Sequence, residues 1–135
     1  MAHGSPSDPP LLPGDEARLQ RNAGCLVLRL PGNPDQQRID ALLTVMLKRV
    51  TRQTHRAVIL DFTETRLLDS NIAEQIETAA RQSAVLGTPV VLCELQPALS
   101  AALVDLGHHL PSVIKVGSID QALESNRTAL GRGTA

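Results

Sequence analysis

A chain of 135 residues, 42% of them hydrophobic, has the length and apolar content for one domain with a real core. Its single aromatic residue is a Phe, so that core must be Leu, Val, Ile and Ala, and both base-stacking platforms and an aromatic-anchored ligand pocket are disfavoured. Thirteen basic residues against fourteen acidic ones give a formal net charge of −1, without the basic excess of a nucleic-acid binder.

Residues 1–14 hold four of the nine prolines, Pro6, Pro9, Pro10 and Pro13, with Gly, Ser and Asp between them. Such a segment cannot bury enough surface to offset its ordering entropy, and a disordered tail is expected over residues 1–20. It shows no basic region followed by an apolar one, so a secretion signal is not expected. No apolar stretch reaches the roughly 20 residues of a membrane span. Residues 131–135 read as a flexible end, which leaves residues 21–130 as the domain.

Residues 25–30 make a short β-rich run, closed by Pro31-Gly32. Asn33 then fits an N-cap, with Pro34 at the first helical position and Gln36 completing a capping box. Ile39, Leu42, Leu43, Met46, Leu47 and Val50 follow at helical spacing as one broad apolar stripe. Residues 57–62 are apolar without alternation except for Asp61, which suggests a central strand covered on both faces. A second helix is predicted over residues 70–86, stopped by Gly87, before a strand over 89–93. Pro97 opens a third helix carrying Leu99, Ala102, Leu103 and Leu106, and Gly107 closes it. A last strand occupies residues 113–116, and Ser118 with Gln121 makes a capping box for a final helix through Ala122 and Leu123. The order βαβαβαβα demands right-handed crossovers and an α/β fold: a four- to five-stranded, mostly parallel β-sheet with about four α-helices.

No phosphate-binding signature is found. Pro31-Gly32-Asn33-Pro34 follows the first strand, and residues 63–69 follow the second; neither segment is glycine-rich. His3, His55, His108 and His109 do not form a metal constellation, and Cys25 and Cys93, each inside an apolar run, read as buried free thiols of a reducing compartment. Asp61 stands at the carboxyl end of a strand, where ligands of open α/β sheets gather. The acidic pair that a receiver-type phospho-acceptor needs after the first strand is missing, so Asp61 reads as a partner of loop amides. No catalytic residue, cofactor or metal is expected.

The loop before the second helix is more informative. Leu67-Leu68-Asp69-Ser70-Asn71 sets two apolar residues before an Asp-Ser pair that opens a helix. In the simplest reading, Asp69 or Ser70 caps the orphan amides of the first turn. The same geometry would hold a phosphate on Ser70 at the positive end of the helix dipole, beside Asp69. Capping and phospho-acceptance are compatible.

Several short motifs in fixed order carry a family resemblance over residues 23–124. They are Gly24, Leu26, Leu28, Leu30 and Gly32 at alternate positions, Val58-Ile59-Leu60-Asp61, Leu68-Asp69-Ser70, Leu86-Gly87, Pro97 through Leu106-Gly107, and Ala122-Leu123. Together they resemble the STAS domain of bacterial anti-sigma-factor antagonists and stressosome proteins. Ala79-Ala80, Val85-Leu86-Gly87 and the Gln96-Pro97 segment look most like the stressosome branch. The single-domain RsbS type fits better than the RsbR type, because residues 1–20 cannot supply an N-terminal sensory domain. The anti-sigma-factor antagonists proper usually carry Asp-Ser-Ser-Gly where this chain has Asp69-Ser70-Asn71-Ile72.

What the resemblance implies is regulation rather than catalysis. Ser70 would be phosphorylated by a partner serine/threonine kinase, and Asp69, Ser70, Asn71 and Glu74 would contact partners. A second hydroxyl that several stressosome members carry on the third helix falls at Ala102 here. Unphosphorylated, the cytoplasmic domain would assemble with STAS-containing scaffolds as a homo- or hetero-oligomer and sequester the kinase; phosphorylation would release it. Three alternatives stay open: an anti-sigma-factor antagonist binding an anti-sigma kinase, a purely structural assembly subunit, and a small α/β nucleotide-binding protein.

Overall fold

Three runs of apolar residues, β2 (Cys25–Arg29), β3 (Val58–Asp61) and β4 (Val90–Cys93), pair in parallel at the centre of the computed structural model, which describes residues 11–133 and side chains as far as residue 126. An antiparallel strand, β1 (Leu19–Asn22), flanks β2, and β5 (Val113–Lys115) lies parallel to β4, so five strands stand in sequential order. The crossovers are α1 (Gln36–Arg52), α2 (Ser70–Val85) and α3 (Pro97–Asp105), and α4 (Ile119–Gly133) follows β5.

Strand alternation divides the core in two. Leu26, Leu28, Leu30, Val58, Leu60, Phe62, Val90 and Leu92 point to one face, where Ile39, Leu42 and Met46 of α1 and Ile72, Ile76 and Ala80 of α2 complete the main cluster. Cys25, Ile59, Val91 and Cys93 point to the other, beneath Ala122, Ile119 and Leu123 of α4. Val58, Ile59 and Leu60 are all buried, as expected for a central strand covered on both sides. The expected α1 stripe is buried except Leu47, which is only partly covered.

Helix ends follow local chemistry, with one correction. α1 starts at Gln36 rather than at Pro34, and its cap is Asp35, not Asn33: the Asp35 carboxylate accepts the Arg38 amide at 2.8 Å. A carboxylate at that position meets the amide of the third helical residue directly. At α4 the Ser118 Oγ accepts the Gln121 amide at 3.1 Å, while Gln121 Oε1 accepts the Gly117 amide at 3.0 Å. Gly87 stops α2 with φ +96°, a left-handed conformation that costs glycine little.

Within the segment read as tail, residues 1–10 lie outside the described residues, but Asp15–Arg18 form a 3-10 turn and β1 begins at Leu19. The arm is tied down by burial of Leu19 and by Asp15, which is 1% exposed and accepts Arg38 Nη2 at 2.8 Å and Arg18 Nε at 3.2 Å. Burial by itself would raise the Asp15 carboxyl, but the hydrogen bond and charge of Arg38, with Arg18 behind, hold it below 3.8. Ala23 and Gly24, both at positive φ, form the two-residue turn from β1 to β2; a side chain at Gly24 would meet the Arg56 guanidinium at 2.7 Å.

Candidate functional site

The segment between β3 and α2 leaves the sheet at its carboxyl edge and is pinned from below. Thr65, fully buried, donates from Oγ1 to the Pro31 carbonyl at 3.1 Å, and the Arg66 amide donates to the Gly32 carbonyl at 2.9 Å. A side chain at Gly32 would come within 3.2 Å of the Glu64 carbonyl, so the two loops are in close contact. Glu64 also accepts from Arg18 at 3.2 Å and from Arg29 at 3.5 Å, which ties the loop to the N-terminal arm and to β2. Asp61 accepts the Thr63 amide at 2.9 Å and the Thr63 hydroxyl, the loop-amide role expected of it.

Beyond that anchored stretch the chain turns outward. Leu67 is 65% exposed, whereas Leu68 packs against the main core. Asp69 is the N-cap of α2, its carboxylate accepting the Ile72 amide at 2.8 Å. Ser70 is then the first helical residue, half-buried, and no hydrogen bond involves its hydroxyl among the described residues. Of the two capping candidates, the carboxylate takes the amide and the hydroxyl stays available.

The remaining site residues face elsewhere. Asn71 and Glu74 are exposed and line a groove of about 580 Å³ between α1 and α2. Ser70 and Asp69 sit at the helix mouth, while Asn71 and Glu74 belong to the flank next to it. Ala102, where the second hydroxyl is missing, is half-buried on α3.

Sequence reasoning did not find Thr65, Glu64 and Arg18 as supports of this loop. Arg18 and Glu64 lie 46 positions apart, and nothing local marks them as a pair. The exposed Leu67 was visible as an apolar residue in a polar loop, but its exposure was not.

Cys25 and Cys93 are both buried and unbridged. Burial raises both thiols, and at Cys93 the neighbouring Asp61 and Glu94 carboxylates help push it up to about 12. Neither offers a thiolate at neutral pH. No helix of the described residues is long and apolar enough to cross a membrane.

Comparison with known proteins agrees with this architecture. RsbT co-antagonist protein RsbRA of Bacillus subtilis (strain 168) is 23% identical over 99 residues, which are 73% of this chain but 36% of that protein. The chain thus spans about a third of that relative's length. Among solved structures, an RsbS variant of Moorella thermoacetica aligns with TM-score 0.72 and 18% identity, covering 84% of this chain and 96% of that one. SpoIIAA, described as a Bacillus cell fate determinant and solved in its phosphorylated form, aligns with TM-score 0.60 and 15% identity over 79% of this chain and 96% of its own. At such identities the structural likeness speaks for the fold alone. The STAS domain family model matches residues 16–118, from the 3-10 turn before β1 to the cap of α4, and the chain therefore belongs to the STAS domain family.

Proposed function

We propose that this chain is a non-enzymatic cytoplasmic regulator of the stressosome type, which assembles with STAS-containing scaffolds, holds a serine/threonine kinase, and releases it when Ser70 is phosphorylated. One observation carries the reading: Asp69, not Ser70, caps α2, so the hydroxyl at the helix mouth has no structural duty. A phosphate there would add roughly −1.5 to −2 charge beside the Asp69 carboxylate. The free amides of the first turn and the helix dipole would accommodate it.

The anchored loop and the exposed Leu67 suit a contact that must be read by another protein. Thr65 and Glu64 hold the approach still, while Leu67, three residues before Ser70, offers an apolar anchor. Charge introduced next to a desolvated apolar contact opposes it. A change of about 3 kcal/mol would alter affinity roughly 100-fold, enough for a switch. Support also comes from relatives: one is named as a co-antagonist of RsbT, and another was solved phosphorylated. With Ala102 lacking a hydroxyl, the switch is assigned to Ser70 alone, and Asp69, Asn71 and Glu74 are assigned to the partner surface around it.

The test is capture of the kinase by two variants. Ser70→Ala is expected to retain it and Ser70→Asp to lose it, with phosphate appearing on Ser70 of the unaltered chain after incubation with kinase and ATP. Equal recovery of the kinase by both variants would refute the switch.

A further inference from the structure

The groove between α1 and α2 shares Asn71 and Glu74 with the surface assigned to the Ser70 switch, but it extends well beyond them and carries a chemical pattern of its own. Both helices connect parallel strands on the same face of the sheet, so they run side by side in the same direction. Their N-terminal halves form one end of the groove, lined by Asp40, Asn71, Glu74 and Gln75; their C-terminal halves form the other, with Leu47, Val85 and Leu86.

The two ends differ in character. At the C-terminal end Val85 is 83% exposed and Leu86 50% exposed, beside the partly covered Leu47, so three aliphatic side chains make an open shelf, with the exposed Arg81 as the one cation in its lining. Aliphatic side chains left in water forgo the stabilisation that burial would give them. At the N-terminal end Asp40 and Glu74 are both exposed, neither takes part in a salt bridge among the described residues, and no Lys, Arg or His lines that part of the groove. Between them Gln75 donates from Nε2 to the Gln36 carbonyl at 3.0 Å, which ties α2 to the start of α1.

We propose that this groove is the docking site of a basic amphipathic helix from a partner protein. Apolar residues of that helix would cover Leu47, Val85 and Leu86, and lysines or arginines would face Asp40 and Glu74. A third helix is the element that fits, because helices pack into the trough between two neighbours at about 8–10 Å. From residue 71 to residue 85 the groove runs about 21 Å, or four turns. The carboxylates select a cationic partner and turn away acidic helices and anionic membrane surfaces.

The experiment uses the full chain carrying Ser70→Ala, so that the outcome is independent of the switch. It is titrated with two synthetic amphipathic peptides of about 18 residues, roughly five turns. One has leucines on the apolar face and lysines on the polar face; the other replaces the lysines with glutamates. The Gln75 side-chain amide and the methyl signals of Leu47, Val85 and Leu86 are followed by NMR. The lysine peptide is expected to shift these signals and the glutamate peptide to leave them in place. Asp40→Asn with Glu74→Gln should weaken the lysine peptide about tenfold, and Val85→Asp by at least about tenfold, in variants whose circular dichroism is unchanged. Raising the salt should weaken it further. Equal binding of both peptides, shifts confined to other surfaces, or no loss in either variant would overturn the proposal. Self-association of the chain that Val85→Asp abolishes and the lysine peptide does not displace would also overturn it, in favour of a second copy as occupant.

Discussion

Asp69 and Ser70 are neighbours with separate tasks, and stability measurements can tell them apart. Removing the Asp69 carboxylate leaves the Ile72 amide unsatisfied, so Asp69→Ala should cost about 1 kcal/mol, read as a lowered urea midpoint. Ser70→Ala removes a hydroxyl with no structural hydrogen bond and should leave the midpoint nearly unchanged. A comparable loss in both would mean that the hydroxyl is part of the cap. His55 makes a second case at this scale. It is 5% exposed, and among the described residues neither ring nitrogen has a partner of good hydrogen-bond geometry. Burial, with the Arg21 and Arg49 charges acting the same way, outweighs a weak approach to the Arg49 backbone carbonyl and holds its pKa below the ordinary 6.5. The unfolded chain therefore takes up a proton that the folded chain resists, so this contribution is intact above about 6.5 and is lost as the pH falls below it. Urea midpoints between about pH 7.5 and 5 should fall in the unaltered chain and fall less in His55→Leu. Identical slopes would place the pH dependence elsewhere.

Elements were largely legible because their signals are local. The α1 stripe, the apolar run of β3, Pro97 at the start of α3 and the Ser118 and Gln121 side chains at the start of α4 all lie within a few residues of what they specify. The start of α1 was misplaced by competition among neighbours: Asn33 and Asp35 are both good caps, and only the carboxylate of Asp35 meets an amide. α3 rests on few buried side chains, Leu99 at 6% exposure and Leu103 at 4%, so each counts for much of its attachment. Leu103→Ala is expected to cost roughly 2–5 kcal/mol in urea unfolding. An unchanged midpoint would show that α3 is held by something other than its apolar stripe.

Across the whole molecule, the N-terminal arm joins α1 to the loop that leads to Ser70. Asp15 is buried between Arg38 at the start of α1 and Arg18, which also reaches Glu64. Asp15→Ala should lower stability by about 1–3 kcal/mol, less than for a fully buried pair because both arginines keep part of their hydration. The accompanying sign is clear: with a carboxyl held below 3.8 in the folded state, this contribution is present above about 3.8 and is lost as acid protonates it. Calorimetry at neutral and acid pH checks both points; an Asp15→Ala variant as stable as the unaltered chain would leave the arm energetically idle.

The amino-acid sequence alone settled the alternation of helices with the four parallel strands, most residues of the core, and a serine at the opening of a helix. These rest on hydrophobic period and on capping within one turn, forces that act between near neighbours. Pairing of β1 with β2, the burial of Asp15 under Arg38, the Arg18–Glu64 tie and the groove between α1 and α2 were decided by the folded chain. Each depends on groups brought together from distant positions, where polar residues find partners only after the apolar core has closed the loops between them.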